Sequence, residues 1–140
     1  MATIKLEVVT PDRGEVFGKD IDMLIVRSTA GELGILPKHA RLLTELIPHA
    51  MRIKSEGTEH LVAIGGGFME VTPDKITILA DSAELPENID VDRAKSAYKR
   101  AEDRINSYKN SPKESEIDIR RAEAALARAK ARLLVKNIQM

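Results

Sequence analysis

The stretch Leu85-Pro86-Glu87-Asn88-Ile89-Asp90 separates two hydrophobic periodicities that no single regular architecture accommodates. Ahead of it, apolar residues alternate with polar ones or run in short β-branched groups. Behind it, they recur at three- and four-residue steps. Proline disfavours helix at the residue before it, so the first half ends here. Asp90 then offers a helix start, because its carboxylate can accept a hydrogen bond from an amide two or three residues on and its charge suits the positive end of the helix dipole.

In the first half, Ile4-Lys5-Leu6-Glu7-Val8-Val9 alternates with the period of a strand buried on one face. Further strands are expected at residues 21–26, 42–47, 51–54, 61–64, 68–71 and 75–79. Turn signals stand between them: Thr10-Pro11-Asp12-Arg13-Gly14, Ala30-Gly31-Glu32-Leu33-Gly34, Pro48, Ser55-Glu56-Gly57, Gly65-Gly66-Gly67 and Thr72-Pro73-Asp74. Short strands at this spacing predict an antiparallel β-sandwich or flattened barrel.

In the second half, Val91, Ala94, Ala97, Ala101, Ile105 and Tyr108 mark one face of a helix that ends near Asn110. Ser111-Pro112-Lys113-Glu114 supplies the signals of a new helix start. A second stripe, Ile119, Ala122, Leu126, Ala129 and Leu133, carries this helix to about Lys136. So short a connection predicts an antiparallel hairpin. The chain is thus an α+β protein, with a β-sandwich domain at 1–86 and a two-helix domain at 87–140. Alanine stripes let helices approach closely but bury little apolar surface, at about 25 cal/mol per Å2. The hairpin is therefore a marginal element that a ligand or partner can tip.

Several chemistries are excluded. There is no Cys, hence no disulfide, thiolate nucleophile or thiolate metal site. Aromatic residues make up 3% with no Trp, which removes the stacking platforms of single-stranded nucleic-acid binders. His39, His49 and His60 lack metal-ligand spacing, and no metal site is expected. The Gly65-Gly66-Gly67 run has neither the lysine nor the helix start of a phosphate loop and reads as a bulge or a close backbone approach. No nucleophile, base and acid arrangement is visible, so no catalytic site is expected. Neither a secretion signal nor an apolar run long enough to span a bilayer is present, and membrane association is expected only through a partner.

Charge is distributed unevenly. Residues 1–86 carry 9 Lys+Arg against 13 Asp+Glu, and residues 87–140 carry 13 against 9, so a balance of −4 gives way to +4. Arg93 and Arg100, seven apart, share a helix face, as do Arg128 and Arg132, four apart. In an antiparallel hairpin Arg93 falls roughly level with residue 128, so that three guanidinium groups can converge at the open end, beside the first helix start, where phosphate oxygens would meet bidentate guanidinium groups and free amides. On spacing alone, a solvated charged face is the simpler reading.

Gly31-Glu32-Leu33-Gly34-Ile35-Leu36-Pro37-Lys38-His39-Ala40, Gly66-Gly67-Phe68-Met69-Glu70-Val71 and Ile78-Leu79-Ala80-Asp81-Ser82-Ala83-Glu84 together resemble the epsilon subunit family of bacterial F-type ATP synthases, over essentially the whole chain. Arg41 departs from the Pro that many members carry after the His-Ala pair. The resemblance implies a non-catalytic rotor subunit whose sandwich docks on the gamma subunit and the c-ring, with the turn carrying Glu32 facing the ring. It also implies a C-terminal hairpin that either folds against the sandwich or extends along gamma toward the beta and alpha subunits to block ATP hydrolysis. Ile89, Asp90, Arg93 and Ala94 match the family's ATP-recognition motif. By the same resemblance Glu84 assists at the adenine edge, Ile89 and Ala94 touch the base, Asp90 offers an acceptor, and Arg93, Arg100, Arg128 and Arg132 face the phosphates. Arg104 and Arg121 are the candidates for contacts with acidic beta loops. ATP would be a regulatory ligand, and the protein would sit peripherally on the cytoplasmic face of the cell membrane. The alternative from the residues alone is a freestanding nucleotide- or nucleic-acid-binding module.

Overall fold

The computed structural model describes residues 2–110 and 116–137. Eight strands precede two helices: β1 (Ile4–Thr10), β2 (Gly14–Ile21), β3 (Met23–Ser28), β4 (Gly31–Ile35), β5 (Leu42–Ser55), β6 (Thr58–Val71), β7 (Lys75–Ala80), β8 (Ala83–Glu84), α1 (Val91–Asn110) and α2 (Glu116–Val135). The strands follow the path β2-β1-β7-β6-β5-β3-β4, with β8 paired to β6. All pairings are antiparallel except β1 with β7.

Two features differ from the sequence expectation. The segments separated by Pro48 and by Gly65-Gly66-Gly67 are not four short strands but two 14-residue strands that pair along their whole length. Burial explains how one strand serves two layers. In β5 the inward residues are Met51, Ile53 and Ser55 on one side of Pro48 and Leu46 on the other, so the buried parity switches from odd to even. In β6 the switch runs from Val62 and Ile64 to Met69 and Val71. The pair therefore bends at the proline and glycines, and the sheet closes over one core containing Leu6, Val8, Leu24, Ile35, Met51 and Ile78. Gly66 and Gly67 have φ of +101° and +138°, and a Cβ on Gly67 would fall against the Leu79 carbonyl oxygen and lie 2.8 Å from Ala80 Cα. Close backbone approach is thus what the glycine run provides.

The second difference is two edge elements, β2 and β4. Gly14–Ile21 is too charged and glycine-containing to show alternation, and the Gly31–Ile35 segment reads locally as punctuation. Both become strands through pairing with a neighbour, β1 and β3 respectively. Tertiary context here overrides weak propensity.

Beyond β8 a single 3-10 turn at Pro86–Asn88 leads to α1. Asp90 Oδ1 accepts from the Arg93 backbone N–H at 3.1 Å, which caps the helix as its residue type predicts. α1 buries Ala94 and Ala101, α2 buries Ala122, Ala129, Ala131, Leu133 and Val135, and the two pack along each other. α2 also leans on β5 and β6, where Ala131 and Val135 join Ala63 and Ile89 in a small apolar cluster. It ends with Asn137 at φ +61°, whose N–H reaches Leu134 O at 2.9 Å. The expected helix start at Ser111-Pro112-Lys113-Glu114 lies outside the described residues.

Candidate functional site

The base of the hairpin meets the sandwich around a cavity of about 680 Å3, a size suited to a nucleotide. Three elements build it. From the sandwich come Glu84 at the end of β8 and Arg13 at the tip between β1 and β2. From the start of α1 come Asp90, Asp92, Arg93, Ala94 and, two turns on, Arg100. α2 contributes Arg132.

One ion pair fixes α2 against the sandwich. Arg132 Nε donates to Glu84 Oε1 at 2.7 Å, with the two side chains 28% and 20% exposed. The short charge-assisted bond spans 48 residues of sequence and ties the last strand to the second helix. Asp90 spends one carboxylate oxygen on the helix cap. Among the described residues, Arg13, Arg93 and Arg100 form no ion pair. The cavity therefore offers guanidinium groups outside ion pairs at a helix start, in excess of the carboxylates of Asp90 and Asp92, a combination that favours an anionic ligand. Among the described residues no cluster of His, Asp or Glu could hold a metal ion.

The structure brings Glu84, Asp90, Arg93, Ala94, Arg100 and Arg132 to this one cavity. Ile89 does not line it: the side chain is 7% exposed and packs with Ala63, Ala131 and Val135 beneath the helix start. Arg128 does not line it either. Its Cδ would lie 3.3 Å from a Cβ on Gly65, which places its stem against the bend of β6. Arg104 and Arg121 are exposed on α1 and α2. Glu32 is exposed on β4 rather than in a turn, opposite Arg27 of β3, with Arg27 Nη2 at 3.5 Å from its carboxylate. Sequence reasoning missed Asn88, Asp92, Ser96 and Ala97, which adjoin predicted residues along the chain, and Arg13, which does not. Arg13 sits in a turn 77 positions before Asp90, and no periodicity links a turn tip to a distant helix face.

The whole chain has close relatives. Residues 3–86 match the ATP synthase delta/epsilon chain β-sandwich domain, and residues 87–137 match the long α-helix domain of the same chains. An ATP synthase epsilon chain of Halalkalibacterium halodurans is 50% identical over 133 residues, covering 95% of this chain and 96% of that one. One from Exiguobacterium sp. is 46% identical over 140 residues, covering 99% of each. In the cryo-EM structure of the Euglena gracilis mitochondrial ATP synthase OSCP/F1/c-ring assembly, one chain superposes with a TM-score of 0.75 at 24% identity. That likeness covers 94% of this chain and 79% of the other and bears on the fold alone. A freestanding binding module finds no support in these relatives. With both domains matched in order and epsilon chains related at about half identity over nearly their full length, the chain belongs to the ATP synthase delta/epsilon family, among its epsilon chains.

Proposed function

We propose that this chain is a non-catalytic central-stalk subunit of an F-type ATP synthase, that it couples the gamma subunit to the c-ring, and that its hairpin restrains ATP hydrolysis under control of bound ATP. The observation that carries the nucleotide part is the cavity at the hairpin base, where the Glu84–Arg132 pair, the capped start of α1 and the unpaired Arg93 and Arg100 converge. In this reading Arg93, Arg100 and Arg132 take the phosphates, while Ala94 and the acceptors of Glu84 and Asp90 meet the adenine. Ile89 supports the helix start from below, and Arg128 joins only if its side chain swings away from the β6 bend.

The ligand acts by mass action. At 100 times its dissociation constant it adds about 2.7 kcal/mol to the state that binds it. That is comparable to what an alanine-lined hairpin contributes, so ATP favours the docked hairpin and permits rotation. Without ATP the hairpin extends, and the exposed Arg104 and Arg121 meet acidic loops of the beta subunits. Exposed Glu32 faces the polar loops of the c-ring, so attachment to the cytoplasmic face of the membrane runs through that ring. Among the described residues no helix is long and apolar enough to cross a membrane.

Calorimetric titration of the full chain with ATP tests the site: Arg93→Ala should bind at least about tenfold more weakly than the parent, from the loss of one charge-assisted contact. Equal affinity would remove ATP from this cavity. In the assembled synthase, deleting residues 88–140 should raise hydrolysis at low ATP, and unaltered activity would refute the restraint.

A further inference from the structure

We infer that Arg13, at the tip between β1 and β2, is the sandwich's own contact to the polyphosphate of the nucleotide, so that the ligand bridges the two domains; this rests on the nucleotide reading of the cavity. Four observations lead there. First, Arg13 lines the same cavity as Arg93 and Arg100 but belongs to the sandwich rather than to α1. Second, its backbone is held: the Arg13 N–H donates to Thr10 Oγ1 at 3.2 Å, Thr10 is buried, and Gly14 closes the three-residue tip at φ +69°. A fixed turn presents the side chain at lower entropic cost than a mobile loop would.

Third, the guanidinium group is uncommitted, with no ion pair among the described residues, although Asp90 and Asp92 line the same space. With Glu84 paired to Arg132, Arg13, Arg93 and Arg100 remain against the carboxylates of Asp90 and Asp92, so guanidinium groups are in excess in the lining. Fourth, α1 packs on α2, and it is α2 that leans on β5 and β6. The cavity lies where α1 and the sandwich face each other, and α1 packs far less on the strands than α2 does. A polyanion held by Arg93 and Arg100 of α1 and by Arg13 of the sandwich adds a tie across that sparsely packed junction. It thereby turns binding into docking of α1.

The test uses the full chain, ATP as probe, and two readouts: calorimetric affinity and the rise in Tm on adding ATP. Arg13 is exposed in a turn, so Arg13→Ala should leave the Tm without ATP unchanged. It should weaken ATP binding about tenfold and shrink the ATP-induced rise in Tm. Arg13→Lys should recover part of the affinity, since a point charge replaces a bidentate fork. The gap between parent and Arg13→Ala should narrow at about 1 M salt, where the Debye length falls to about 3 Å. If Arg93→Ala loses affinity while Arg13→Ala binds like the parent, the Arg13 contact is refuted and the nucleotide site stands. If the parent itself does not bind ATP, the site reading falls and the Arg13 contact with it.

Discussion

Removing the Arg132 side chain should loosen the hairpin without loosening the sandwich. The Nε to Oε1 distance is 2.7 Å, which puts the charge centres about 4 Å apart, and at an effective dielectric constant of about 20 their attraction is roughly 4 kcal/mol. The side chains are 28% and 20% exposed, so each has given up much of its water, and that desolvation offsets part of the gain. What remains matches the range of a charge-assisted hydrogen bond, about 1.5–3 kcal/mol. Taking about 2 kcal/mol, Arg132→Met, which keeps the aliphatic stem, should raise the open-hairpin population about thirtyfold. Amide hydrogen exchange reads this directly. Protection of α1 and α2 should fall by that factor while amides of β6 opposite β7 keep theirs. A double-mutant cycle with Glu84→Gln isolates the pair. A coupling energy below about 0.5 kcal/mol would refute the claim that this contact anchors the hairpin.

Three further outcomes follow from single residues. Asp90→Ala removes the cap on α1 and should cost about 1 kcal/mol of hairpin stability, seen as faster exchange over the first turn of α1; unchanged exchange there would contradict the capping role. Gly67→Ala forces a Cβ into the β7 backbone at φ +138° and should destabilise the fold by about 3 kcal/mol or more in urea unfolding, a loss that a neutral result would refute. His49 is buried and neutral: Nδ1–H donates to Ile47 O at 2.6 Å, and Nε2 accepts from the Arg27 N–H at 3.2 Å. Burial is the main cause that lowers its pKa below the ordinary 6.5, the Ile47 bond works against it, and nearby Arg27 adds to it. Above about pH 6.5 the ring is neutral in both states and contributes no pH dependence. As pH falls below that value the unfolded chain takes up the proton first, so stability falls until pH passes the folded-state pKa. Denaturant midpoints measured down to about pH 5 should show this loss in the parent and a smaller one in His49→Gln; identical slopes would refute it.

Much of this architecture is legible in the sequence because the signals are local. The change of period at Leu85-Pro86, the Asp90 cap and the alanine stripes each act within a few residues, and each reappears in the structure. The bend is not legible, because Pro48 and the glycine run look like breaks when taken alone. Pro48 is tolerated inside β5 since the pairing of β3 with β5 is interrupted between Ile25 and Ser28, and there the His49 ring accepts the Arg27 N–H. Edge strands β2 and β4 depend on partners for their existence. In the site, the helix residues follow from spacing once the family resemblance is in hand. Arg13 does not, because only the folded sandwich brings its turn to α1. Arg128 shows the opposite limit: four residues from Arg132 on one helix face, it nevertheless turns toward the β6 bend.

The central claim is that ATP holds the hairpin docked on the sandwich. Its most direct test is amide hydrogen exchange of the full chain with and without saturating ATP. Protection should rise across α1, α2 and residues 89–94, by about a hundredfold at 100 times the dissociation constant, while β1 and β7 keep the protection they have without ligand. Binding that leaves the helices as exchangeable as before, or that protects only the strands, would contradict it.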